Sequence, residues 1–359
     1  MKKLITLLLA VAGYVGTASA WSSAVLHYEG KWNSDDVYFT KIDGNQFYIQ
    51  MDGSVINNGS FYFRFAVKGD SDGDTFTEKE PDTTSHDVDQ EVTSTAVTCN
   101  YNSWSGDSHT TKAWYIAQDA KADKVDIYLK YAKTDDSDDT SWTWHITAVP
   151  LYKRTIYWDN SETSSWTTVK AYTYDENLGN HRKIEDLGAW SSVSALSADT
   201  DGKYSVNFYG TSTVKAIFYN GGSDSNKTGN LSVTNNGIYK GTSATEPNAI
   251  RAAVSSVGYA TFSCTKDVDF STLTSTVKAK KAAVDSNGKI TYTEVSTVPA
   301  GEGVLLESVS GDAVSLDVPV ATSTPSANEG NQFVAIDETF QLAQSSESGY
   351  TNFILSKVD

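Results

Sequence analysis

The chain has 359 residues, too many for one small core, with Pro (6), Met (2) and Cys (2) scarce and Tyr (20) and Trp (9) abundant. Its formal net charge of −17 repels nucleic-acid phosphates and anionic membrane surfaces alike and suits a neutral ligand. Aromatic and β-branched residues favour strands, so the composition predicts an all-β chain of tandem β-sandwich domains. Residues 1–20 open with Lys2 and Lys3, continue through an apolar run from Leu4 to Val15 and end in Ala18-Ser19-Ala20. That order predicts a secretory signal peptide cleaved after Ala20, because the apolar run is shorter than the ~20 residues a membrane-spanning helix needs. The expected location is therefore secreted or at the cell surface.

Residues 21–150 form the first predicted domain, with strands over 37–40, 46–51, 61–67, 113–117, 125–131 and 142–149. Phe61, Phe63, Phe65 and Val67 alternate with Tyr62, Arg64 and Ala66, the period of a half-buried strand. A long acidic loop interrupts the domain at about 69–90. Residues 152–242 form the second, with strands over 155–158, 168–174, 204–209, 214–219 and 231–234. Asp201-Gly202, Gly221-Gly222 and Asn236-Gly237 supply its turns. A linker is expected over 241–248. Residues 249–359 differ sharply: they hold neither Trp nor His. Strands are predicted there over 254–264, 277–284, 289–295, 303–307 and 314–318, with Asn287-Gly288 as a hairpin signal. The chain ends on Asn352-Phe353-Ile354-Leu355-Ser356-Lys357, which reads as strand, so a truncated C-terminal domain is one expectation.

The motifs of several catalytic classes are missing: no His-Glu-x-x-His helix, phosphate-binding loop or dinucleotide fingerprint occurs. Glycosidases have no universal local motif, so their paired carboxylates stay open. Cys99 and Cys264 fall in different predicted domains, so no disulfide between them is expected, and no zinc-type spacing occurs. Asp70-Ser71-Asp72-Gly73-Asp74 and Asp199-Thr200-Asp201-Gly202 superficially resemble calcium loops, but the first lacks the glycine and glutamate that such a loop requires. Both read as Asp-Gly turns. No metal and no cofactor is expected.

The aromatics carry more. On 169–174 one face of a strand would hold Val169, Ala171 and Thr173, and the other Lys170, Tyr172 and Tyr174. Two tyrosines beside a lysine on the outward face form a platform for something flat, neutral and polar. A sugar ring fits, since its C–H face stacks on an aromatic ring at roughly 1 kcal/mol per contact beyond burial. Trp142 and Trp144 are the opposite case, for they share a face with Ile146 and belong to a core. Trp166 precedes the tyrosine strand and could cap the core. Trp190, in a polar loop after Leu187-Gly188, is the candidate third aromatic. Trp32 and Trp104 also sit in polar stretches and are secondary platform candidates for the first domain.

Over about 155–240 the chain resembles the starch-binding modules of carbohydrate-binding module families 25 and 26. The residues that carry the resemblance are Ile156-Tyr157-Trp158, the run from Trp166 to Tyr174, and Leu187-Gly188-Ala189-Trp190. The run from Val214 to Gly222, Lys227-Thr228 and Asn236-Gly237-Ile238-Tyr239 continue it. It implies an immunoglobulin-like β-sandwich that binds α-1,4-glucan through Tyr172, Tyr174 and Trp190. Lys227 stands where relatives often have glutamine, and Ser191-Ser192 follows Trp190 where they often have Pro-Gly. The first domain loosely resembles the β-sandwich binding domains of secreted polysaccharide-utilisation proteins of Gram-negative gut bacteria, and the third a small β domain common near their C-termini.

The expected function is thus a secreted, non-catalytic protein that binds starch, maltooligosaccharides or a similar α-glucan, with site residues Tyr172, Tyr174, Trp190 and Lys227 and no catalytic residue assigned. Two alternatives stay open at this point. One is the ancillary portion of a larger secreted amylase or other glycoside hydrolase, and the other is a structural or adhesive surface protein.

Overall fold

The computed structural model describes residues 21–28, 37–43, 45–68, 77–79, 90–93, 97–100, 113–133, 142–163, 165–175, 193–211, 213–221 and 226–333. The chain is all-β; the helices among the described residues are the four-residue α1 (Ser54–Asn57) and a three-residue 3-10 turn, Asn160–Glu162. It divides into two compact units, one of residues 1–119 and 124–150 and the other of 120–123 and 151–359. The signal-like segment, the acidic runs at 69–74 and 135–139, Trp32, Trp104 and the apolar C-terminal run all lie outside the described residues.

Unit 1 contains β1 (Ser23–Tyr28), β2 (Thr40–Asp43), β3 (Gln46–Asp52), β4 (Phe61–Lys68), β5 (Thr77–Lys79), β6 (Gln90–Glu91), β7 (Val97–Asn100), β8 (Trp114–Ile116), β9 (Lys124–Lys133) and the first part of β10 (Trp142–Asp159). One sheet has the order β1-β4-β8-β6, with β5 also on β4; the other joins β2, β3, β9, β10 and β7. The clean alternation at 61–67 explains the face that packs inward. Phe61, Phe63 and Phe65 are buried while Tyr62 is exposed. Trp144 of β10 is fully buried at the centre of this core, within 5.0–6.3 Å (ring centroids) of Tyr131, Phe65, Trp21 and Phe47. Phe65 belongs to one sheet and Phe47 and Tyr131 to the other, so this indole joins the two faces of the sandwich.

Unit 2 takes up the second part of β10 and adds β11 (Val169–Asp175), β12 (Lys203–Gly210), β13 (Val214–Asn220), β14 (Leu231–Ser232), β15 (Gly237–Lys240) and β16 (Ala249–Val254). It continues with β17 (Tyr259–Ser263), β18 (Val268–Asp269), β19 (Val277–Val284), β20 (Ile290–Val295), β21 (Thr297–Val298), β22 (Gly303–Ser308) and β23 (Val314–Pro319). Here β10 lies between β12, antiparallel from Tyr152↔Gly210 to Asp159↔Lys203, and β15, parallel from Ile156↔Gly237 to Asp159↔Lys240. β15 then pairs with β16 and β16 with β23, both antiparallel. The result is one continuous sheet, β12-β10-β15-β16-β23.

Two smaller sheets cover that surface. Over its first half lies β11-β13-β14. The core between them holds Ile156, Trp158, Phe208 and Tyr239 from the long sheet and Val169, Ala171, Ala216, Phe218 and Leu231 from the short one. Trp166 is buried in this core, with its ring stacked 5.3 Å from Trp158, which also stacks 5.4 Å from Phe218. Asn160 fixes the entry to the stack, for its amide donates to the Trp166 carbonyl (3.1 Å) and its Oδ1 accepts from Trp158 Nε1 (3.3 Å) and the Thr163 hydroxyl (2.6 Å). Over the second half lies β17-β22-β19-β20, with Ile250, Ala252 and Val318 packed against Val277, Ala279, Val304, Leu306 and Phe270.

The stretch expected as a linker, 241–248, is a tight connection between paired strands. Asn248 Oδ1 accepts the Lys240 N–H (2.9 Å), the Asn248 N–H bonds Ile238 O (2.8 Å), and the Ala244 N–H bonds Gly241 O (3.0 Å). Its Gly and Asn satisfy backbone groups locally, as a turn does. The predicted strand over 254–264 is two strands, β16 and β17, separated by a turn at Gly258 (φ 81°). Asn236 turns at φ 60°, the left-handed region that Asn tolerates best after Gly. A Cβ on the next residue, Gly237, would meet Thr234 O at 2.9 Å, so this Asn-Gly pair has little room to vary.

On the outer face of the long sheet Arg251 ties several strands together. It is the register partner of Asp317 on β23, and its Nε lies 2.8 Å from Asp317 Oδ1, an ion-pair approach outside hydrogen-bond alignment. Its Nη1 reaches Asp199 (3.3 Å) and Asp201 (3.4 Å), and its guanidinium lies 4.9 Å over the Tyr157 ring of β10. Lys203 at the start of β12 also reaches Asp317 (2.8 Å). Partial burial pushes the Asp199 carboxyl upward. The backbone N–H groups of Lys203 and Asp201 and the cations of Arg251 and Lys203 outweigh that and hold it below the usual carboxylate range. The Arg251 side chain is only 11 % exposed, so removing it would take away the cation that Asp199, Asp201 and Asp317 share and leave Lys203 beside Asp317. Arg251→Gln should lower the unfolding free energy of unit 2 by about 1.5 kcal/mol, read by urea denaturation. A depressed carboxylate stabilises the fold above its unfolded pKa, and that contribution is lost as pH falls through the folded value. Wild-type stability should therefore drop below about pH 4, and the Arg251→Gln chain should show a shallower drop in the same titration.

Candidate functional site: the outer face of the tyrosine strand

β11 pairs with β13 in antiparallel register from Val169↔Asn220 to Asp175↔Val214. Alternation then sorts the side chains. Val169, Ala171, Thr173 and Asp175 are buried, while Lys170, Tyr172 and Tyr174 are half-buried on the opposite face. The two tyrosine rings form a stacked pair, centroids 5.9 Å apart and planes inclined by 21°.

The register adds neighbours from β13, since directly opposite residues share a face. Tyr172 faces Ile217, Tyr174 faces Lys215, and Lys170 faces Tyr219. Ile217 and Lys215 are half-buried, and Lys215 Nζ lies 3.3 Å from Ser232 Oγ on β14. Tyr219 is buried, and that burial pushes its phenol above the ordinary tyrosine value. The face thus combines two half-buried rings, one aliphatic side chain and polar groups at the edges.

Lys227 joins the same face through the backbone. It forms an isolated antiparallel bridge with Tyr219, which puts its exposed side chain on the side that Tyr172 and Tyr174 occupy. The next residue anchors it: Thr228 is buried, and its Oγ1 accepts the Phe218 N–H (3.1 Å) and donates to Gly229 O (2.9 Å). The Thr228 N–H in turn bonds Phe218 O (2.9 Å). At the far end of β11 the buried Asp175 carboxylate accepts the Thr213 hydroxyl (3.0 Å) and the Thr211 hydroxyl. Those bonds pin the Asp175 end of the tyrosine strand, and at its other end the Thr168 N–H donates to Asn220 Oδ1 (3.2 Å).

Of the four residues singled out in the sequence, Tyr172, Tyr174 and Lys227 are thus brought to one face, and Trp190 lies outside the described residues. Lys170, Lys215, Ile217 and Tyr219 on that face were not singled out. The period-2 alternation of Val214-Lys215-Ala216-Ile217-Phe218-Tyr219 would have placed Lys215, Ile217 and Tyr219 together, but only the register sets them against the tyrosines. Residues 156–232 match the family model of starch-binding module 26. No curated protein and no solved structure matches the chain. The module covers the end of β10 through β14, and Tyr172, Tyr174 and Lys227 all fall within it. The match supports starch binding by this region, and its family is one of binding modules, not catalytic domains.

Asp199 of the calcium-like turn accepts the N–H groups of Asp201 (2.9 Å) and Lys203 (2.8 Å) besides pairing with Arg251. Cys264 is a free thiol, and burial pushes it up to about 11. No helix among the described residues is long and apolar enough to cross a membrane.

The two faces of β11 should respond oppositely to substitution. Thr173→Tyr, on the buried face, should cost about 3 kcal/mol by overpacking, whereas Tyr172→Ala should cost no more than ~1 kcal/mol. Thermal unfolding of the two variants checks the assignment of faces.

Proposed function

We propose that the protein is a secreted, non-catalytic binder of starch-like α-glucans, and that the outer face of β11 is its binding platform. The observation that carries this reading is the stacked, half-buried pair Tyr172 and Tyr174 inside the region matched to starch-binding module 26. Two adjacent rings can each take the C–H face of one glucose unit, and their spacing along one strand follows the path of a chain, not a single sugar. Trp190 supplies the third aromatic surface of the site. Lys227, Lys215 and Lys170 surround the rings with donors for glucose hydroxyls, in the place where an amide would otherwise stand at 227. The ligand is uncharged, consistent with a chain of net charge −17. Export follows from the segment at 1–20, with cleavage after Ala20.

Each ring contributes roughly 1 kcal/mol beyond the area it covers, so a three-ring platform yields affinities in about the millimolar to micromolar range. Binding of maltoheptaose by calorimetry should weaken at least about tenfold in Tyr172→Ala/Tyr174→Ala, with a milder loss in Trp190→Ala. Lys227→Gln should bind within about threefold of wild type, because the amide still donates to hydroxyls. Undiminished binding by the double tyrosine variant would refute the platform, and release of reducing sugar from starch by the purified protein would refute the non-catalytic reading.

A further inference from the structure

Unit 1 carries a second aromatic platform that owes nothing to the starch-binding module. Across the β1-β4-β8-β6 sheet one row of register partners reads Tyr62 on β4, Tyr115 on β8 and Glu91 on β6. The inward neighbours on the same strands, Phe61, Phe63, Trp114 and Ile116, are all buried. The row therefore occupies the outer face, and the side chains show it: Tyr62 is 42 % exposed, Tyr115 is half-buried and Glu91 is exposed. The two rings form a tilted pair with centroids 5.5 Å apart and planes inclined by 31°. That arrangement is close to the 5.9 Å and 21° of Tyr172 and Tyr174, although one pair is made across two strands and the other along one.

The surroundings are polar. The Tyr115 hydroxyl lies 3.5 Å from Glu91 Oε2, so a carboxylate stands at the edge of the second ring. Arg64, half-buried, is the next residue of β4 on the same face as Tyr62. We propose that Tyr62 and Tyr115, flanked by Glu91 and Arg64, form a second sugar-binding site, one that stacks successive rings of a neutral polysaccharide chain. The rings supply flat surfaces for C–H faces, and the carboxylate, guanidinium and phenol groups accept from and donate to hydroxyls at the ring edges. A protein partner fits this surface poorly. Stable protein interfaces cover about 800 Å² per partner around an apolar centre, whereas this row offers two rings bordered by opposite charges. A sugar chain needs only such a narrow strip. Two sites on one chain would also raise the apparent affinity for a long polymer above that for a short oligosaccharide.

The full chain, its Tyr62→Ala and Tyr62→Ala/Tyr115→Ala variants, and each of these changes in a Tyr172→Ala/Tyr174→Ala background separate this site from the module. The readout is retardation in native gels cast with soluble starch, a mixed-linkage β-glucan, galactomannan or xylan. At least one polysaccharide should still retard the Tyr172→Ala/Tyr174→Ala chain, and adding Tyr62→Ala should weaken that retardation about fivefold or more. Tyr62→Ala removes an exposed side chain and should leave the melting temperature unchanged, so it remains informative even if the double variant in unit 1 fails to fold. Equal mobility of Tyr62→Ala and its parent in every gel would overturn the proposal. So would a change in sedimentation coefficient without a change in retardation, which would mark the surface as a protein contact. Failure of the starch reading alone would show differently, as Tyr172→Ala/Tyr174→Ala binding starch like wild type.

Discussion

Seven consecutive residue pairs hold β11 against β13, and the proposed function depends on that register. With β11 in place, Val169, Ala171 and Thr173 face the Trp158–Trp166 stack and Tyr172 and Tyr174 face outward. A slip of one residue would turn the tyrosines into the core and expose the small side chains. The core cannot admit that exchange. Ala171 and Ala216 are fully buried beside Trp158, Phe218 and Tyr239, and two phenol rings would not fit in place of a methyl group. The Asp175 carboxylate, fixed by the Thr211 and Thr213 hydroxyls, and the Asn220 amide oxygen on the Thr168 N–H lock the two ends. Close packing on one face of a strand thus sets the position of aromatic side chains on the other.

The long sheet of unit 2 gives this arrangement a wider footing. β15 and β16 pair directly, so the strands beneath the starch-binding module and those beneath the C-terminal part belong to one sheet. The two cores above it are distinct, yet they share their floor. Arg251 crosses from β16 to the Asp199 turn, to Asp317 and to the Tyr157 ring, fastening the outer face of the same sheet. The C-terminal part is therefore physically continuous with the module. Its role in that arrangement is to complete the sheet, whatever else it contacts.

Much of this was legible in the sequence because strand patterns repeat every two residues. The alternation at 61–67 and 169–174 gave the buried and outward faces directly, and the Asn-Gly and Asp-Gly pairs marked turns. Tertiary pairing was not legible. The run from Trp142 to Asp159 reads as two strands, since Pro150 falls between two apolar patterns, yet it forms the single strand β10. The parallel pairing of β10 with β15 leaves no local signature, and the polar composition of 241–248 hid a turn between paired strands. Arg251 reads as one charge in an apolar run until Asp199, Asp201 and Asp317 converge on it. Lys227 could be named from the resemblance, but only its bridge to Tyr219 sets it on the tyrosine face. Tyr62 and Tyr115 are 53 positions apart, and nothing in either neighbourhood announces the other. Only β4–β8 register makes them a pair.

The central claim is that the glucan lies on Tyr172 and Tyr174. The most direct test is to incorporate fluorinated tyrosine, assign Tyr172 and Tyr174 by single Tyr→Phe variants, and titrate maltoheptaose while following the fluorine resonances. The account predicts that the Tyr172 and Tyr174 signals shift together along one saturable curve, while that of the core residue Tyr239 stays in place. Saturable binding that leaves both resonances unmoved would contradict it.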